Sequence, residues 1–171
     1  MSAEIKRALY QQLKTNTPEI EEVISKCLTD EDVATPLLHY IKWLRTNELS
    51  PLYSDFEGQS PFWEVEYKGK KHFIVLNGEN NICIMIKVVF TKEVQTVISE
   101  YNLKDIVLDN LQYCSRSKGK DCNNCHLPSH VVGVDEMIFG KEMKNLCCGQ
   151  FVSFNKPNSE MIEGIKKLLE Y

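Results

Sequence analysis

The fold is decided by residues 62–89, which read FWEVEYKGKKHFIVLNGENNICIMIKVV. Within residues 62–68 apolar and polar side chains alternate, as they do in a β-strand that buries one face. Lys68-Gly69-Lys70 and Asn77-Gly78 are turn-forming sequences, and residues 82–89 are apolar enough to form a central strand. The stretch therefore predicts an antiparallel β-meander.

Two side chains in these predicted strands carry polar or reactive atoms. Cys83 lies in an apolar run and is most simply a small buried hydrophobe. His72 is a single histidine on a strand, where a histidine usually serves packing or lies at the surface. We therefore predict structural roles for both.

Apolar residues at helical spacing predict helices on both sides of the sheet. Before it, helices are predicted within residues 3–14, after a cap signal at residues 17–19, and from residues 29–32 onward. The third of these is predicted to be interrupted or begun afresh near Pro36. Cys27 falls on the apolar stripe of the second helix and is predicted to be a core residue. After the sheet, the same periodicity predicts helices that cover it.

This order of elements predicts an α+β protein, an antiparallel β-meander covered by helices. We predict an N-terminal helical segment at residues 1–47, a linker loop at residues 48–61 and an α+β domain at residues 62–171. The linker is predicted from its two prolines, its glycine and its other turn-forming residues. The domain carries a cysteine-rich insertion at residues 114–148.

The composition is that of an ordinary globular domain, with 171 residues of which 43% are hydrophobic and 26% charged. The formal net charge of -4 argues against a general phosphate-binding surface, so we do not expect nucleic acid as a partner. The sequence has no signal-peptide pattern and no apolar stretch of about 18 residues. We therefore expect a cytoplasmic protein that is not bound to a membrane and whose partner is an unidentified protein or small molecule.

Sulfur is concentrated in residues 114–148, which hold five of the seven cysteines and two of the four histidines. These residues are Cys114, Cys122, Cys125, Cys147, Cys148, His126 and His130. The two-residue gap between Cys122 and Cys125 lets two thiolates reach one ion, which suits the tetrahedral preference of zinc. Cys114 and either Cys147 or Cys148 can complete the site, because adjacent cysteines in an extended segment point to opposite sides. Zinc is the predicted cofactor, with His126 or His130 as substitute ligands.

A competing interpretation is thiol redox chemistry by Cys122 and Cys125, as a sensor or a reductase. Lys118 and Lys120 precede the pair, and nearby positive charge favours the thiolate. The surroundings differ from thioredoxin, because Pro128 follows the pair where a long helix would be needed. A further alternative is that these residues are reduced thiols in a small loop.

The motifs of common enzymes are missing from the sequence, which leads us to expect a protein that is not an enzyme. Residues 122–126 match the haem attachment pattern CxxCH, but haem attachment requires export, for which no signal is present. A last alternative is a small-molecule-binding domain whose sheet pocket is walled by Trp63, Tyr67 and Phe73. Aromatic residues in strands belong to the core more often than to a pocket.

Residues 63–78, WEVEYKGKKHFIVLNG, and residues 138–170, which end in a helix of the form PNSEMIEGIKKLLE, resemble small uncharacterised bacterial proteins of the YdhG-like or a related kind. The resemblance covers residues 62–170. It implies an α+β domain with an antiparallel sheet and a bacterial source, and it implies no activity or catalytic residue. The cysteines depart from the pattern of those proteins, so a site there would be particular to a subgroup.

Overall fold

The computed structural model of the protein describes residues 19–54, 61–77, 81–114, 132–147 and 150–171. The helices in these ranges are α1 (Ile20–Cys27), α2 (Glu31–Thr46), α3 (Lys92–Glu100), α4 (Lys104–Asp109) and α5 (Ser159–Leu169). The strands are β1 (Leu52–Ser54), β2 (Phe62–Tyr67), β3 (Lys70–Leu76), β4 (Ile82–Lys87), β5 (Val134–Ile138), β6 (Lys141–Leu146) and β7 (Phe151–Asn155). None of the described helices has the length and apolar character needed to cross a membrane. The helix predicted within residues 3–14 lies outside the described ranges.

The predicted α+β class and antiparallel meander are confirmed. One sheet has five strands in the order β1-β2-β3-β4-β7, and β5 and β6 form a separate two-stranded sheet. The edge strand β1 falls inside the predicted linker at residues 48–61, whose turn-forming residues gave no sign of it. Its position is set by β2, because Tyr53 pairs with Trp63 and the two rings meet edge to face at a centroid distance of 5.6 Å.

The chain divides into two compact units. One contains the chain up to Met85 together with Phe154–Ile162, and the other contains Ile86–Ser153 together with Glu163–Tyr171. Two of the three boundaries between the units fall within β4 and β7 and the third falls within α5, so none coincides with the predicted linker at residues 48–61.

In the first unit, α1 and α2 pack together through their apolar faces. Cys27 is buried on α1, as the helical spacing predicted. The helix α2 runs without a break through Pro36, so the predicted interruption there is wrong. The missing proline N–H would have bonded the carbonyl of Asp32, which lies in the exposed first turn where water can replace that bond.

In the second unit, the hairpin of β5 and β6 was not predicted from the sequence. Its two-residue turn, Phe139-Gly140, has positive φ at both positions (47° and 74°), as a type I′ turn requires. Gln95 of α3 ties the hairpin down: its Nε2 donates to the carbonyl oxygens of Phe90 and Met137, and its Oε1 accepts from Phe139 N–H at 2.7 Å. The strands are rich in charged residues on both faces, which hides the alternation that marks a strand.

Candidate functional site

The two ends of the predicted cysteine-rich insertion meet in an antiparallel bridge between Tyr113 and Leu146. Cys114 N–H donates to Asn145 O, and Cys147 N–H donates to Gln112 O, each at 2.7 Å. These bonds flank the bridge on both sides, which makes Tyr113 and Leu146 a non-hydrogen-bonded pair of an antiparallel ladder. Cys114 and Cys147, far apart in sequence, are therefore held on adjacent extended segments.

The bridge also fixes the direction of the two cysteine side chains. Because side chains alternate along extended chain, Cys114 and Cys147 share the face opposite to that of Tyr113 and Leu146. They occupy diagonal positions of the ladder, whose typical separation is about 7–8 Å. A disulfide is strained when its Cα atoms are more than about 7 Å apart, because its sulfurs must come within about 2.05 Å of each other. Two thiolates on one zinc ion keep their sulfurs about 3.8 Å apart and so span a longer gap. The diagonal spacing is better suited to a shared metal ion than to a direct bond.

Gln150 holds the segment before Cys114 in place from the other side. Its Oε1 accepts from Gln112 N–H at 3.0 Å, and its Nε2 donates to Gln112 O at 2.6 Å. The side-chain amide thus pairs with Gln112 as the backbone of a neighbouring strand would. Gln150 is 4% exposed, so these bonds form where water cannot easily replace them.

The backbone that leads into Cys147 is fixed by a β-bulge. The pairing of β5 with β6 shifts register between Val134 and Glu136, and Asn145 adopts a φ of 58°. The register shift leaves the Asn145 N–H without a backbone partner in the β5–β6 ladder, and this N–H donates instead to Asp135 Oδ1 at 3.0 Å. Gly133, with a φ of 71°, approaches so closely that a Cβ there would lie 2.6 Å from the carbonyl carbon of Asn145. Only glycine fits that position.

Cys114 and Cys147 differ in their exposure. Cys114 is 4% exposed and Cys147 is partly exposed. The other predicted ligands, Cys122, Cys125, Cys148, His126 and His130, lie outside the described residues. Within the described ranges, no three His, Cys, Asp or Glu side chains are grouped so that they could hold a metal ion. The structure thus brings together two of the predicted ligands.

Cys27 and Cys83 belong to the first unit and are both buried, as predicted. Burial raises the pKa of the Cys27 thiol, and the charge of Lys26 opposes that effect. Burial likewise raises the pKa of Cys83, against a hydrogen bond from Asn77 Nδ2. Both thiols therefore stay protonated and unreactive, as expected of packing residues.

The three aromatic residues predicted as pocket walls do not share one face of the sheet. Trp63 and Tyr67 are four positions apart and therefore lie on the same face of β2, where Trp63 is buried against Tyr53. Phe73 pairs with Glu64 and thus projects from the opposite face. A single pocket walled by Trp63, Tyr67 and Phe73 is therefore incompatible with the strand register.

The sequence did not predict that Tyr40 and His72 form a buried hydrogen-bonded pair. His72 is fully buried, as its predicted packing role allows, and its Nε2 lies 2.8 Å from the hydroxyl oxygen of Tyr40. Burial lowers the pKa of His72 to about 4 and raises the pKa of Tyr40. Nδ1 of His72 and Nε1 of Trp63 have no hydrogen-bond partner in the described part of the chain. The histidine is therefore held neutral in the core.

The chain matches no protein-family model, no curated protein and no solved structure. The resemblance to YdhG-like proteins therefore stays a prediction. The candidate function rests on the geometry of the described residues, above all on the bridge that brings Cys114 and Cys147 together.

Proposed function

We propose that the protein is a non-enzymatic binding or regulatory module in which cysteine thiolates hold one zinc ion. The observation that carries the proposal is the bridge between Tyr113 and Leu146, which sets Cys114 and Cys147 on one face of adjacent segments. In a reducing compartment such as the cytoplasm, clustered cysteines seldom form structural disulfides. Thiolates grouped in this way are typical ligands of zinc.

The proposed ligand set has four sulfurs. Cys114 and Cys147 supply two of them from the bridge, and Cys122 and Cys125 supply the other two from their closely spaced pair. We choose Cys147 over Cys148 because the bridge sets Cys147 on the face that it shares with Cys114. His126 and His130 are the substitutes if one sulfur does not take part.

The side chain of Cys114 is 4% exposed, so an ion bound to its sulfur would be shielded from water on that side. The bonds of Gln112 to Cys147 N–H and to Gln150 hold the two sulfurs before the ion arrives. A closed structural zinc site of this kind contributes on the order of 10 kcal/mol to folding.

The decisive experiment is elemental analysis of the purified, reduced full chain together with its native mass. We expect one zinc ion per chain, removed by chelator with a loss of thermal stability. Cys114→Ser and Cys147→Ser should each lower the zinc content, and Cys83→Ser is the matched control, because that cysteine is a buried residue of the first unit and is not one of the proposed ligands.

Alkylation of the thiols separates zinc binding from redox chemistry. Zinc ligands resist alkylation until chelator is added, whereas exchange-active thiols react at once and change with oxidant. A metal-free protein in which Cys114, Cys122, Cys125 and Cys147 react without chelator would overturn the zinc proposal. A reversible disulfide between Cys122 and Cys125 in that protein would then favour the sensor or reductase.

A further inference from the structure

Gln150 connects the cysteine bridge with the five-stranded sheet. Its side chain makes two hydrogen bonds to Gln112, the residue whose carbonyl also accepts from Cys147 N–H. Its own carbonyl accepts from Val88 N–H at 3.3 Å. Val88 directly follows β4 and Gln150 directly precedes β7, so this bond is the end rung of their ladder.

We propose that zinc occupancy at Cys114 and Cys147 controls the pairing of β4 with β7, and that Gln150 is the positioning residue that couples the two. This inference rests on the proposed zinc site. It adds that zinc binding stabilises the pairing of β7 with β4. It also adds that this pairing in turn raises the affinity for zinc.

The coupling follows from the hydrogen bonds around one carbonyl group. Gln112 O accepts from Cys147 N–H at 2.7 Å and from Gln150 Nε2 at 2.6 Å, which uses both of its lone pairs. A zinc ion that binds both cysteines restrains Gln112, because this residue lies opposite Cys147 and two residues before Cys114 on the same segment. Restraint of Gln112 is passed to Gln150 by two bonds at once, so the side chain cannot rotate away without losing both.

The hydrogen bond from Val88 N–H to Gln150 O is the one that restraint of Gln150 should affect most. At 3.3 Å it is longer than the bond at the other end of the same ladder, in which Lys156 N–H donates to Ile82 O at 2.9 Å. Among the strands that the structure describes, β7 is the last of its sheet and pairs with β4 alone. Rungs at the end of an edge strand open at low free energy and respond to small changes in restraint.

Thermodynamic linkage makes the effect reciprocal. If zinc stabilises the end rung, then the intact rung and the Gln150 bonds must raise zinc affinity by the same factor. Partners behind a metal ligand typically change metal affinity 10- to 100-fold when they are removed. We expect Gln150→Leu, which removes both side-chain bonds to Gln112, to weaken zinc binding of the full chain by about 10-fold or more.

Amide hydrogen exchange of the full chain, with zinc and with chelator, tests the coupling. In the wild type we expect zinc to slow exchange at the Val88 amide and to leave the Lys156 amide, at the far end of the ladder, nearly unchanged. In Gln150→Leu the backbone rung is retained, so Val88 should lose its response to zinc. A purely structural role of Gln150 would lower stability but would not abolish that response selectively.

Matched variants keep the test informative. Gln95→Ala removes another amide that ties the same unit together, at the hairpin end far from the cysteines, and it should leave the zinc response of Val88 intact. Gln150→Glu keeps an acceptor for Gln112 N–H and loses the donor to Gln112 O, so it serves if Gln150→Leu does not fold. The wild-type comparison needs no variant.

The outcomes separate the two proposals. A wild type that binds no zinc ends the proposed function and this inference with it. A wild type that binds zinc, but whose Val88 amide exchanges at the same rate with and without the metal, keeps the zinc site and overturns the coupling. Unchanged zinc affinity in a folded Gln150 variant would also overturn it.

Discussion

The hydroxyl oxygen of Tyr40 lies 2.8 Å from Nε2 of His72, and neither side chain has any exposed surface. The contact joins α2 to β3 within one unit. Nδ1 of His72 has no partner in the described part of the chain. The hydrogen bond with the Tyr40 hydroxyl is therefore the one that offsets the cost of burying the polar ring.

Acid should destabilise the protein through His72. Burial lowers the pKa of His72 from 6.5 to about 4 in the folded state, so between these values the unfolded chain binds a proton that the folded chain does not. The free energy of unfolding should therefore fall as the pH decreases from about 6.5 to about 4 and then level off, by about 3 kcal/mol from this group. Urea unfolding across this pH range measures the change.

Two histidine variants isolate that contribution. His72→Gln removes the titrating ring, so the stability of this variant should vary less with pH between about 6.5 and 4 than that of the wild type. His39→Gln serves as the control, because His39 is exposed on the same helix that carries Tyr40. Identical pH profiles for the wild type and His72→Gln would contradict the assignment.

Removal of the Tyr40 hydroxyl should be more harmful alone than in combination. Tyr40→Phe leaves both ring nitrogens of His72 buried without a partner and should lower the free energy of unfolding by about 1–3 kcal/mol. In a His72→Leu background the buried Tyr40 hydroxyl has lost this partner, so the same substitution should leave stability unchanged or raise it. A double-mutant cycle by chemical denaturation measures this difference, and additive effects would argue against the pair.

Gly133→Ala should strongly destabilise the protein. Its added Cβ would lie 2.6 Å from backbone atoms of Asn145, at a φ of 71° that disfavours any side chain. We expect a loss of about 3–5 kcal/mol. The control is Gly140→Ala, with nearly the same φ of 74° but no atom within 4 Å of the new Cβ, which should lose only about 1–2 kcal/mol. Equal losses in thermal denaturation would show that the close approach is unimportant.

Gln95→Ala should loosen the β5–β6 hairpin. The substitution removes the hydrogen bonds to Phe90 O, Met137 O and Phe139 N–H and should lower stability by about 1–3 kcal/mol. Faster amide exchange at Phe139 would locate the effect. Thr96→Ala on the same helix, whose hydroxyl bonds only within its own helix at Lys92 O, should leave the Phe139 amide protected.

The adjacent cysteines should differ in their effect on zinc. Cys147→Ser removes a thiol on the face that it shares with Cys114, so it should lower zinc affinity in competition with a chelator. Cys148→Ser should bind zinc as the wild type does. The reverse order would place the ligand at Cys148 and would require a different path of the chain after Leu146.

Much of the fold could be predicted because its signals are local. The alternation in residues 62–68 and the Asn77-Gly78 turn predicted the meander, and helical spacing placed Cys27 in the core. The short strand β1 was missed because three residues carry no periodicity. The β5–β6 hairpin was missed because charged side chains occupy both of its faces.

The site was predicted only in part. The concentration of cysteines in residues 114–148 drew attention to Cys114 and Cys147, but spacing along the chain gave no reason to pair them. No sequence pattern indicated the roles of Gln112 and Gln150. A glutamine whose side-chain amide pairs with a backbone cannot be told from a surface glutamine by sequence alone. Gly133 had a weak signal as a glycine before a strand, and its need for close approach depends on Asn145, twelve positions away.

The sequence by itself determined the α+β class, the meander and the buried positions of Cys27 and Cys83, because propensity and periodicity act over a few neighbouring residues. Tertiary structure alone decided that Cys114 and Cys147 lie on adjacent segments, that Gln150 is hydrogen-bonded to Gln112 and that Tyr40 is hydrogen-bonded to His72. Each of these contacts joins residues more than thirty positions apart, and their register is set by strand pairing and side-chain packing that no local pattern encodes.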